Sequence, residues 1–251
     1  MGGGESCEVH HYHTNTVYQV PPETQAKLGE LTKSVAEFEE EAIRQGDPNL
    51  FTENSDKIFD TFVNALPDMK LTEFIKKDTG DVHVGVLGNI SVGKSTLLNT
   101  LFKLQLPTAL GHITTECKMV HRSDNPNDRT FYWDVPGNNS DYRFYKPENL
   151  SFLKSLDTII LLFDSDINTI KDVLRVITVI KAGTNDQLLV LRTKVDQHTS
   201  DDNRSIEEEK ALDQEKLSAI SSTAKLYYVS CHNIKNNREP YDWNDFKNTI
   251  L

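Results

Sequence analysis

The residues 88–95, Gly88-Asn89-Ile90-Ser91-Val92-Gly93-Lys94-Ser95, fit the pattern G-x-x-x-x-G-K-[ST]. The glycines let the backbone curl until its N–H groups converge on an anion, and a helix starting at Lys94 adds its positive end. Lys94 supplies a charge for the β- and γ-phosphates of a nucleotide, and the Ser95 hydroxyl suits Mg²⁺. Gly88, Asn89, Ser91, Val92, Gly93, Lys94, Ser95 and Thr96 are the candidate phosphate cradle. An ordinary glycine turn with a surface lysine has the same letters, but it does not require the strand before and the helix after that this sequence supplies.

Two further stretches read as partners of that cradle. Asp134-Val135-Pro136-Gly137 follows a strand-like run, where Asp134 can hold Mg²⁺ through water and the Gly137 N–H can face a γ-phosphate. Thr114-Thr115-Glu116 lies between the two motifs, and Thr115 is the hydroxyl expected to complete the Mg²⁺ shell.

A third motif, Thr193-Lys194-Val195-Asp196, ends another apolar run. The Asp196 carboxylate can accept two hydrogen bonds from guanine, from N1–H and the 2-amino group, whereas adenine has a donor at neither place. A site built for such a bond rejects the partner lacking it by about 10⁴-fold. The Lys194 stem can lie along the purine ring, and the backbone N–H groups of Ser230-Cys231 at a last strand end can meet the guanine O6. GTP and GDP with Mg²⁺ are thus the implied ligands. An ATP-binding or kinase reading conflicts with Asp196.

Alternating elements must position these motifs. Strands are predicted at 82–87, 117–122, 130–133, 158–163, 188–191 and 226–229. Helices are predicted at 94–102, along Ile167, Ile170, Val173, Leu174 and Ile177, at 206–220 and at 241–251. The run 158–163 is apolar without interruption, as in a strand covered on both faces. The order implies an α/β fold: a three-layer domain with a mostly parallel six-stranded sheet, at 79–251. Upstream, Leu28, Leu31, Val35, Phe38 and Ala42 mark one face of a helix, and Ile58, Phe59, Phe62, Val63 and Leu66 another. The chain is therefore divided into an arm at 1–20, a helical segment at 21–78 and the α/β domain.

The chain has 251 residues and a net charge of -11, which argues against nucleic acid and against an anionic membrane surface as electrostatic partners. Three dispersed cysteines offer no disulfide framework, so a reducing, cytoplasmic setting is expected. Met1-Gly2-Gly3-Gly4-Glu5-Ser6 fits the myristoylation pattern at Gly2, and Cys7 could carry a second, palmitoyl chain. One myristoyl chain binds membrane marginally, so the pair has physical sense for a peripheral anchor.

In this order the motifs resemble the Ras-like GTPase superfamily over residues 80–251. Within it, the stretches Phe131–Gly137, Leu191–Asp196 and Tyr241–Phe246 are similar to the immunity-related GTPases, as are the helical segment and the myristoylation pattern. That resemblance implies GTP and GDP binding, self-association in the GTP form and action at intracellular vacuole membranes. Members of that family carry a helical region after the G domain, whereas the sequence here runs to Leu251. Ras-like enzymes have Gln where Asn138 stands, and no arginine finger is identifiable. The expectation is slow turnover raised by a partner or by a nucleotide-dependent homodimer. The alternative is a GTP/GDP-binding scaffold that does not hydrolyse.

Overall fold

The computed structural model describes residue 44 and residues 80–106, 117–122, 129–135, 147–197, 204–238 and 241–251. The arm at 1–20, with Gly2 and Cys7, lies outside them, and so do Thr115, Gly137 and Asn138. Of the helical segment at 21–78 no residue but Arg44 is described.

Six strands form one sheet. They are β1 (Asp81–Gly88), β2 (Lys118–Arg122), β3 (Arg129–Asp134), β4 (Thr158–Phe163), β5 (Gln187–Arg192) and β6 (Lys225–Tyr228). Their spatial order is β2-β3-β1-β4-β5-β6. Only β2 runs antiparallel to its neighbour; the β3·β1, β1·β4, β4·β5 and β5·β6 pairs are parallel. Parallel neighbours need crossovers, and these are made by α1 (Lys94–Phe102), α2 (Pro147–Ser155), α3 (Lys171–Ile180) and α4 (Ile206–Ile220). The chain ends in α5 (Cys231–Lys235) and α6 (Trp243–Ile250).

The side-chain period of a strand divides the core into two layers. In β4, Ile159, Leu161 and Phe163 point to one face, where Leu150 and Leu153 of α2, Leu174 and Ile177 of α3 and Leu217 of α4 cover them. Ile160 and Leu162 point to the other, against Leu97 and Leu98 of α1 and Phe246 of α6. Covered on both sides, β4 has no room for a polar residue from Ile159 to Phe163, which accounts for its unbroken apolar run. Each such side chain contributes about 1.5–3 kcal/mol by burial, so the middle of the sheet is the rigid base on which the strand-end loops sit.

Three elements differ from the sequence expectation. The predicted helix from Ile167 is two pieces, a 3-10 turn over Ile167–Ile170 followed by α3. Asp166 caps the turn, accepting the Asn168 N–H at 2.9 Å. Helix α2 was not expected; at nine residues it is shorter than the window in which helical periodicity stands out. Finally, β6 stops at Tyr228, and Ser230-Cys231 begins a helix rather than ending a strand.

Candidate functional site

The loop between β1 and α1 takes the conformation its glycines permit. Gly88 has φ 150, Ser91 φ 64 and Gly93 φ 104. A methyl group on Gly88 would lie 2.7 Å from the Leu162 carbonyl oxygen and 2.8 Å from Val92 Cγ2, so the loop passes the end of β4 too closely for any side chain. The Lys94 ammonium turns back into this curl and donates to the carbonyls of Gly88 at 2.7 Å and Asn89 at 3.2 Å. Burial pulls its pKa below the ordinary lysine value, and the carboxylate of Asp134 partly opposes the shift. Asp134 is the last residue of β3, in register with Val86 of β1, so it lies electrostatically close to Lys94. Ser95 and Thr96 follow in the first turn of α1, both half-buried.

The base-reading candidate meets this loop directly. The Thr193 hydroxyl donates to the Val92 carbonyl at 2.5 Å and contacts the Phe163 carbonyl at 3.2 Å. Its N–H donates to the same Phe163 oxygen at 2.8 Å. Two motifs 101 positions apart are thereby joined by one buried side chain. Lys194 follows in the left-handed region at φ 56, and its ammonium pairs with Asp164 at 2.6 Å. Val195–Gln197 forms a short 3-10 turn carrying Asp196.

Ser230, expected at a strand end, instead precedes α5: it is fully buried, its hydroxyl caps α5 by accepting the Asn233 N–H at 3.0 Å, and it donates that hydroxyl to Asp196 Oδ1 in a short hydrogen bond. The side chain thus orients the carboxylate. Cys231, the first residue of α5, is buried, and its thiol is held above the ordinary cysteine range by that burial.

Sequence reasoning missed the group behind this loop. Arg192, buried at the end of β5, pairs with Glu209 at 2.6 Å and Asp213 at 3.2 Å, and donates to the Tyr228 hydroxyl at 2.9 Å. Tyr228 in turn donates to Asp213 at 2.7 Å, and Asp242 accepts its backbone N–H at 2.7 Å. Burial works against the Arg192 charge, but Tyr228 and the two carboxylates more than offset it and hold its pKa above the ordinary value. The network ties Arg192, just before Thr193, to Tyr228, two residues before Ser230, and so joins the two stretches that carry Asp196 and Ser230. An arginine directly after the apolar strand run Leu188 to Leu191 was the available signal.

The donor set fits Mg²⁺. A hydroxyl at Ser95 and a carboxylate at Asp134, whose charge is felt at Lys94, are the oxygen ligands such a hard cation takes. Among the described residues no cluster of three or more His, Cys, Asp or Glu offers another metal site. No helix among them is long and apolar enough to cross a membrane.

The strand order, the single antiparallel edge strand and the loop between β1 and α1 now stand together with one family match: residues 83–194 fit the model of the 50S ribosome-binding GTPase family. The match runs from His83 in β1 to Lys194, a little under half of the chain, and supports GTP and GDP binding by this α/β domain. No curated protein matches the sequence. Among solved structures, a variant of Era from Aquifex aeolicus bound to GDP and AlF4- is similar at 18% identity and a TM-score of 0.47, with 67% of this chain and 55% of that one covered. Era in complex with MgGDPNP and a segment of 16S ribosomal RNA is similar at 18% identity and a TM-score of 0.46, with 69% and 56% covered. A bacterial selenocysteine-specific elongation factor is similar at 18% identity and 0.47, with 68% and 28% covered. The chain thus spans about half the length of the two Era structures. The RNA is a partner of that Era protein.

Proposed function

We propose that the G domain binds GTP or GDP with Mg²⁺ in one site running from the phosphate loop to Asp196, and hydrolyses GTP slowly. The observation that supports the reading is the Thr193–Val92 hydrogen bond, which joins the loop at 88–95 to the stretch Thr193–Asp196. In this reading the N–H groups of residues 88–96 cradle the phosphates. Lys94 leaves the Gly88 and Asn89 carbonyls for the β- and γ-phosphates. Ser95, Thr115 and, through water, Asp134 hold Mg²⁺, which would supply charge neutralisation at the phosphate oxygens. Asp196, oriented by Ser230, takes the guanine edge, with Lys194 along the ring and Cys231 at its O6 side. Gly137 would offer its N–H to the γ-phosphate, and Asn138 would stand in the place of the water-positioning residue.

Lys94→Ala tests the assignment: GDP affinity should fall below detection in a titration, and undiminished affinity would remove Lys94 from the site. Slow turnover follows from Asn138, which is one methylene shorter than Gln and reaches less far toward an attacking water. The similarity to immunity-related GTPases extends the proposal to a GTP-dependent homodimer and to a lipid anchor at Gly2 and Cys7. Turnover per molecule that stays flat across a wide concentration range would remove the dimer. A free or acetylated amino terminus in the natural protein would remove the myristoyl anchor. The second reading, a non-hydrolysing scaffold, is favoured by the same Asn138; single-turnover hydrolysis of GTP with Mg²⁺ separates the two.

A further inference from the structure

Asp164 follows β4 directly, beside the base-reading loop. The ends of β4 and β5 are fixed against each other there, because the Phe163 carbonyl accepts the Thr193 N–H at 2.8 Å. Across that junction Asp164 Oδ2 meets Lys194 Nζ at 2.6 Å, with side-chain exposures of 32% and 35%. The lysine stem is thus held at both ends, by the left-handed backbone at φ 56 and by the ion pair. Beside the pair lies a polar cavity of about 430 Å³, lined by Asp164, Asp166, Arg192, Lys194 and Asp213 among others. Asp166 is taken up by Lys216 at 3.2 Å, and Asp213 and Glu209 by Arg192. Among the described residues, Asp164 is therefore the carboxylate paired with Lys194.

We infer that Asp164 is a positioning residue of the base site: its carboxylate holds the Lys194 stem ready to lie along the purine ring before the nucleotide arrives. The inference rests on the base site proposed above and adds a residue to it. A free lysine stem surrenders rotamer freedom when a base settles against it, and a stem already pinned has less to surrender. Asp196 chooses guanine over adenine, whereas Asp164 sets how long the nucleotide stays.

The test is the release rate of a fluorescent GDP analogue from five forms of the full chain: wild type, Asp164→Asn, Lys194→Met, the double variant and Asp164→Glu. Lys194→Met keeps an apolar stem and removes the charge. Asp164→Asn should speed release about fivefold, the upper range for an exposed ion pair. Added to Lys194→Met it should change release by less than about 1.5-fold, because its effect runs through the lysine charge. Asp164→Glu should stay within about twofold of wild type, since the carboxylate is retained. Equal acceleration in both backgrounds, no acceleration in either, or full acceleration by Asp164→Glu would overturn the inference and leave the base site standing. A wild type that retains GDP no longer than ADP would remove the base site, and Asp164's role with it.

Discussion

Replacing Thr193 by Val removes one hydroxyl and almost no volume, and it strikes the joint between the two halves of the site. Thr193 is 4% exposed, and its hydroxyl donates to the Val92 carbonyl at 2.5 Å. Without that donor the carbonyl is left unsatisfied, which costs about 1–3 kcal/mol. For a domain of this size each kcal/mol lowers the melting temperature by about 2–4 °C, so a fall of about 2–12 °C is expected. Urea and thermal unfolding of the nucleotide-free protein measure it, with Thr193→Ser as the control that restores the hydroxyl and most of the stability. GDP affinity should fall with the same substitution, because the phosphate loop loses its tie to the base corner. A change below about 0.5 kcal/mol, the ordinary range for an inconsequential surface substitution, would refute the claim that this hydroxyl joins the two motifs.

The remaining predictions concern the two ends of the site. Asp196→Asn should collapse the preference for GTP over ATP, and competition binding that still excludes ATP would take Asp196 out of base recognition. Gly88→Ala should destabilise by about 1–3 kcal/mol, since the new methyl meets the Leu162 backbone at 2.7 Å; denaturant unfolding at the wild-type midpoint would contradict this. Lys94 gives a signed pH dependence. Its pKa in the free folded protein is below the ordinary 10.5, so in the window between the two values the unfolded chain binds more protons and the stability contribution of this group rises with pH. In the same window GDP binding must return a proton to Lys94, so affinity falls as pH rises. Calorimetry in buffers of different ionisation enthalpy reads that proton uptake, and none at alkaline pH would contradict the assignment.

Much of this arrangement is legible in the sequence wherever one residue type is dictated by one constraint. The run Thr158–Phe163 matches the observed β4 to the residue, because a strand covered on both faces admits no polar position. Helix α4 is similarly plain: Ser205 and Glu208 form a capping box, and the helix begins at Ile206 as expected. The glycine spacing of the phosphate loop announces its curl, which φ values of 150 at Gly88 and 104 at Gly93 then display. What stayed hidden depends on contacts between distant residues. Nothing local in Ser230-Cys231 tells that the serine hydroxyl turns to Asp196, 34 positions away. The Arg192 network draws on α4 and β6 at once, and Asp164 gains its meaning only when β4 and β5 are laid side by side.

The central claim is that the phosphate loop and Asp196 grip opposite ends of the same guanine nucleotide. Calorimetric titration of the full chain with GDP and then with ADP, both in Mg²⁺, tests it most directly. One GDP per chain is expected, with ADP weaker by about 10⁴-fold. No heat with GDP, or equal affinity for the two diphosphates, would contradict the account.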